Sequence, residues 1–255
     1  MDMMEVLSVL FRWLHVGAGV LWIGLLYWFN FVNTPFASTM DGDTKKKVVP
    51  ELIPRSLYFF RWGAAYTWIT GVLLLLLVFY HGGLMFDEGA EQWTAGSFVM
   101  LAIVFLIYPV YDVIAKTEMA KNLKVFGVLA FVVIGIIIVA MIEIGNFSYR
   151  GYVIHLGVMF GTLMAANVWM RIWPLQKKII TAVKEGTAPD AALVALAGQR
   201  SRHNVYMSVP LLWTMVNMHT TVPAADHWAY LLGVIIIGWL TVTWMYKKAG
   251  QVKGF

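Results

Sequence analysis

This 255-residue chain has no cysteine. It can therefore form no disulfide, no thiolate metal site, no iron–sulfur cluster and no covalently attached c-type haem, so any cofactor must be held by histidine, methionine or oxygen ligands. Charge is also scarce. Only 13% of residues are Asp, Glu, Lys or Arg against 60% hydrophobic, a balance that argues against a soluble domain. There is no internal repeat and no low-complexity tract. A cleavable signal peptide is not expected either, because the first apolar run is too long, lacks a basic start and contains Arg12 and His15.

What is abundant is long apolar sequence. Seven runs, at about 6–32, 57–80, 95–114, 125–142, 152–172, 204–219 and 227–246, are each long enough at ~1.5 Å per residue to cross a ~30 Å hydrocarbon layer, the sixth only with its flanks. Backbone amides find no water there, so the runs must be helices. The expected fold is an all-α, polytopic membrane bundle of seven transmembrane helices forming a single domain over residues 1–255.

Basic residues set the expected orientation. Sixteen of the nineteen Lys and Arg fall in the connections after runs one, three and five and in the tail, which leaves Arg12, Arg61 and Arg150. By the positive-inside rule that side is cytoplasmic, with the N-terminus outside and the C-terminus inside. The net charge of +5 then reflects topology, and no nucleic-acid surface is read from it. The long cytoplasmic stretch 174–202 reads as a connector, with Asp190 capping a short helix through Ala191, Leu193, Val194 and Leu196 that lies on the headgroups.

Five of the six histidines, His15, His81, His155, His219 and His227, lie at or near the outer ends of these runs, whereas His203 is at the cytoplasmic side. Ionisable groups inside a bilayer are costly, about 2–3 kcal/mol for a charge, and so raise a functional hypothesis. Arg12 and His15 share a helix face, and Gly19 removes bulk beside them. That arrangement suits a flat ring, and it equally suits a histidine bonded to a neighbouring helix with a glycine that allows close packing. The small residues Gly157, Gly161 and Ala165 after His155 suggest close helix packing, and Pro210 should bend the helix that ends at His219. His81 and His227 sit at the water boundary. Two neutral imidazoles at similar depth can hold a haem b without covalent attachment, and His15, His155 and His219 are the ligand candidates, with the choice of two left open. Arg12 would then meet a propionate, and Arg12 and Arg150 are placed to attract an anion.

The ordered polar residues resemble a known family. Arg12-Trp13-Leu14-His15 with Trp22-Ile23-Gly24, Arg61-Trp62, Tyr66-Thr67-Trp68, Gly71 and Tyr111-Asp112 are followed by Gly161-Thr162-Leu163-Met164, Asn167-Val168 and Pro174-Leu175-Gln176-Lys177. Arg200-Ser201-Arg202-His203-Asn204, Tyr206, Pro210, Met215, Asn217 and His219 complete the pattern. Together they are similar to the membrane domain of bacterial membrane-bound urate oxidases. The resemblance implies oxidation of urate to 5-hydroxyisourate with electrons leaving through a cytochrome c. The family's attached cytochrome c domain, with its Cys-x-x-Cys-His site, has no counterpart in this sequence, which implies a separate cytochrome c or other acceptor.

Two other readings stay open: a non-catalytic haem-binding or anchoring subunit, and a transporter without redox chemistry. The seventh run has no lysine before Lys247, which excludes a mid-membrane retinal Schiff base, and no inverted repeat supports a transporter.

Overall fold

The computed structural model describes residues 3–217 and 227–253. Helices dominate, and the only β pairing among the described residues is an isolated bridge between Phe86 and Phe147. The first run becomes α1 (Met3–Tyr27), a π-helical turn at Trp28–Asn33 and α2 (Thr34–Thr39). The second lies in α3 (Gly42–Leu74), which continues through a second π-helical turn, Leu75–His81. Asp41 starts α3 by accepting from the Thr44 backbone N–H at 2.8 Å and the Thr44 hydroxyl at 3.0 Å, bonds that hold its carboxyl below the usual carboxylate range.

The third run is broken. α4 (Ala95–Leu106), capped by Thr94, meets α5 (Tyr108–Ile114) at 50° around Ile107. Pro109, at the start of α5, lacks the backbone donor that would continue a straight helix. α6 (Leu123–Glu143) follows an Asn122 cap, whose Oδ1 accepts from Lys124 and Val125. α7 (Tyr149–Asn167) passes through a third π-helical turn, Val168–Ile172, into α8 (Trp173–Glu185), and α10 (Trp228–Ala249) closes the chain.

Among the described residues five helical stretches are long and apolar enough to span a membrane, or six if bent α4–α5 counts as one, so the protein is a multi-pass membrane helical bundle. The difference from seven lies in the sixth run. A short surface helix followed by a separate span was expected, but α9 (Ala191–Val216) is one 26-residue helix. Asp190 does cap it, accepting from Ala192 N–H at 2.8 Å. The helix runs on through Arg200, Arg202 and His203, which a hydropathy reading takes as the edge of a connector. Helix formation depends on backbone bonding and packing, and is not stopped by a change in polarity along the chain.

Two compact units are distinguished by internal contacts. One comprises Met1–Gly71, Met164–Ser208 and Trp239–Phe255, with Trp22, Leu26, Phe60 and Val205 fully buried. It also holds polar ties that no periodicity reveals. Asn30 donates to Ser201 Oγ at 2.8 Å and accepts from Tyr246 OH at 2.9 Å. Asn167 donates to Asn204 Oδ1 at 2.9 Å, and Asn204 donates to the Met164 carbonyl at 3.0 Å. Buried amides paired this way lock helices in one register.

The other unit comprises Val72–Leu163 and Val209–Gly238, with Met85, Ile138, Met141, Leu156 and Ile235 in its core. α7 and α9 approach closely here. A Cβ on Gly157 would collide with the Thr214 hydroxyl and lie 2.8 Å from Met215 Cε, so the glycine is required. Gly161, expected to continue that contact, has open space where a Cβ would sit.

Candidate functional site

Two of the three expected ligand histidines can be placed, and they share one design. On α1, His15 Nδ1 lies 2.9 Å from the Thr67 carbonyl oxygen and 3.2 Å from Thr70 Oγ1. A carbonyl can only accept, so Nδ1 carries the proton and, in a neutral ring, Nε2 carries the lone pair. Thr70 is itself positioned by donating to the Tyr66 carbonyl at 2.6 Å. His15 is half-buried, and its Nε2 has no hydrogen-bond partner among the described residues. Its ring lies against Gly71, where an added Cβ would stand 2.9 Å from Cε1. Gly19, expected to make room beside His15, faces Thr67 instead, and an added Cβ there would stand at an ordinary 3.7 Å from Thr67 Cγ2.

On α7, His155 is fully buried. Its Nδ1–H donates to the Gly151 carbonyl at 2.6 Å, so Nε2 accepts from the Tyr80 hydroxyl at 3.0 Å. The imidazole and phenol planes are only 12° apart, and the Phe147 ring centroid is 4.7 Å from the imidazole. Tyr80 belongs to the π-helical turn Leu75–His81, a wide turn of the kind that often marks functional positions. Edge-on to Tyr80 is Trp93, whose φ of 56° is costly for so bulky a residue. Its ring also meets Phe86 and Phe98, and this aromatic packing holds the strained backbone in place.

The remaining candidates lie apart from these two arrangements. Arg12 is exposed and Arg150 half-buried. His227 is exposed and accepts from Ala229 N–H at 3.2 Å, a cap at the start of α10, while His81 is exposed. His203 is buried. His219 lies outside the described residues. Among the described residues no cluster of three or more His, Asp or Glu could hold a bare metal ion.

Both imidazoles therefore fit an axial ligand of haem, because a backbone carbonyl on Nδ1 fixes the tautomer and orients Nε2, as it does for metal-bound histidines generally. The fit is direct for His15, and for His155 requires Tyr80 to give up its bond. Sequence reasoning missed Thr70, Tyr80 and Trp93, which lie far along the chain from the histidines, and the carbonyl of Gly151, one turn before His155.

The Urate oxidase N-terminal family matches residues 42–253. The chain belongs to that family. His155 falls within the matched range, whereas Arg12 and His15 precede it, so the resemblance of α1 rests on its own residues. Searches of curated proteins and of solved structures returned no match.

Proposed function

We propose that this urate oxidase N-terminal protein is a haem b oxidoreductase of a bacterial cytoplasmic membrane. It oxidises urate or a related small reductant and passes the electrons to a separate cytochrome c. The observation that carries the reading is the shared tautomer of His15 and His155 in a member of this family, each with Nδ1–H tied to a carbonyl and the ring's lone pair on Nε2. Two of His15, His155 and His219 would be the axial ligands. When bound, haem b supplies a one-electron carrier without a covalent link, which the cysteine-free sequence requires.

The chain's own residues do the rest. Thr67 and Gly151 hold the imidazoles in position through their carbonyls. Arg12 and Arg150 attract the urate anion, and Arg12 is also placed to neutralise a propionate. Conversion of urate and water to 5-hydroxyisourate releases two electrons and two protons, so two one-electron acceptors are consumed per turnover. The membrane arrangement that goes with this is seven spans, with α9 as the sixth, an outer N-terminus and a cytoplasmic C-terminus. Tags at the two ends should be reachable from opposite sides, and access from the same side would refute it.

The deciding experiment is an absorption spectrum of the purified protein, followed by urate. A Soret band that responds to urate, with urate consumed only when cytochrome c is added and little peroxide formed, is the expected result. No Soret band after haem-supplemented expression would refute the haem assignment, and stoichiometric peroxide would refute the electron-transfer assignment. Arg12→Gln should loosen haem if it meets a propionate, or raise the urate concentration needed if it meets substrate. A second reading, an anchoring subunit or transporter without redox chemistry, is favoured by one observation. The Tyr80 hydroxyl satisfies His155 Nε2, so this histidine also serves as a purely structural tie.

A further inference from the structure

At the basic ends of the spans, Arg61 is held without a counter-charge. Its guanidinium carbon lies 4.0 Å from the Trp173 ring centroid, 5.6 Å from that of Tyr58 and 5.8 Å from that of Trp169. The Arg61 carbonyl is fixed by Trp169 Nε1–H at 3.1 Å, so this stretch of α3 and the turn before α8 are bonded together. Arg61 Nε is buried without a hydrogen-bond partner, and no carboxylate is within ion-pair distance of Arg61 or Lys177 among the described residues. Lys177 approaches the same Trp173 ring, at 5.4 Å. Two cations therefore share one indole and lack an anion. Aromatic faces stabilise a cation but do not neutralise it.

The surroundings identify what completes the site. Along α3, Phe59 is 53% exposed and Tyr66 is 55% exposed, and Met170 beside Trp169 is 60% exposed. On membrane-spanning segments such exposed groups meet lipid, which is therefore the medium around this part of α3 and the turn before α8. Immediately along α8, Pro174, Lys177, Lys178, Thr181, Ala182 and Glu185 line an open groove of about 570 Å³. Basic clusters at the ends of spans, flanked by interfacial tryptophan, suit anionic headgroups.

We propose that Arg61 and Lys177, set against Trp173, bind the phosphate of an anionic phospholipid, whose headgroup extends over the α8 groove. The site is independent of haem and of urate turnover. Arg55 provides an internal control. It lies nearby on α3, but its charge is already matched by Glu51 at 3.0 Å.

The test uses the full chain in nanodiscs of phosphatidylcholine alone or mixed with phosphatidylglycerol, read by the midpoint of thermal unfolding. Phosphatidylglycerol should raise the wild-type midpoint by about 2–4 °C. Arg61→Gln and Lys177→Gln should each lose at least half of that gain, and Arg55→Gln should keep it. Because Lys177 is exposed, its variant should fold even if Arg61→Gln does not. The proposal is overturned if Lys177→Gln keeps the full gain, or if Arg55→Gln loses as much, which would indicate diffuse surface attraction. It is also overturned if inorganic phosphate or urate added to phosphatidylcholine discs produces the same gain, which would indicate a soluble-anion site.

Discussion

On α1, His15 ties Nδ1 to the Thr67 carbonyl and leaves Nε2 without a partner among the described residues, whereas on α7 His155 ties Nδ1 to Gly151 and gives Nε2 to the Tyr80 hydroxyl. The helices differ as well. Within an 18-residue apolar segment of the stretch that includes α7, 67% of residues are buried, against 11% for such a segment in the stretch that includes α1. A half-buried imidazole with a spare lone pair can take a ligand without breaking an internal bond. A fully buried one must first give up a hydrogen bond, at a cost of about 1 kcal/mol. The same tautomer can thus serve an open coordination position in one place and a closed structural tie in another.

The largest expected effect comes from removing the buried ring. His155→Ala should lower stability by about 2–4 kcal/mol, since it opens a cavity beside Phe147 and strands the Tyr80 hydroxyl. His15→Ala should cost less, about 1 kcal/mol, because that ring is half-buried. Thermal unfolding followed by tryptophan fluorescence ranks the two. Soret absorbance of the folded fraction then shows whether haem is lost from both variants or from His15→Ala alone. Equal destabilisation would erase the contrast between the sites.

Gly71→Ala is the intermediate case. Its new methyl, 2.9 Å from His15 Cε1, should push the ring off Thr67 and cost about 1–3 kcal/mol. Gly19→Ala, at 3.7 Å from Thr67, should be neutral or stabilising by up to about 1 kcal/mol. If the two glycine variants unfold at the same temperature, His15 is not held as described. Tyr80→Phe should cost about 1 kcal/mol, for one lost hydrogen bond. If His155 is a haem ligand, this change should leave the Soret band in place, and loss of the band would assign the phenol a direct part in holding haem.

Much of the helix arrangement was legible in the sequence because a membrane enforces apolar runs of a fixed length. The runs at 125–142 and 227–246 correspond closely to α6 and α10. The run at 204–219 does not correspond, because α9 begins at Ala191 and crosses a polar stretch from Arg200 to Asn204 without interruption. His15 and His155 were visible as costly groups in apolar surroundings. Their partners were not. Thr67 is 52 residues from His15 and Tyr80 is 75 from His155, separations that local spacing cannot bridge. Arg61, visible as an exception to the charge bias and as part of the Arg61-Trp62 pair in the family pattern, proved to be encased in aromatic rings.

The three π-helical turns, at Trp28–Asn33, Leu75–His81 and Val168–Ile172, also set the phase of everything that follows them. A wide turn holds one residue more than the α-helix needs, and each α-helical residue advances the helix face by ~100°. If the same residues wound as regular α-helix, Tyr80 would swing about a quarter of the way around the helix axis and away from His155, whereas deleting one residue between Leu75 and Phe79 would restore regular α-helix with Tyr80 near its present phase. The wide turns therefore place Asn30, Tyr80 and Trp169 where an uninterrupted α-helix of the same length would not.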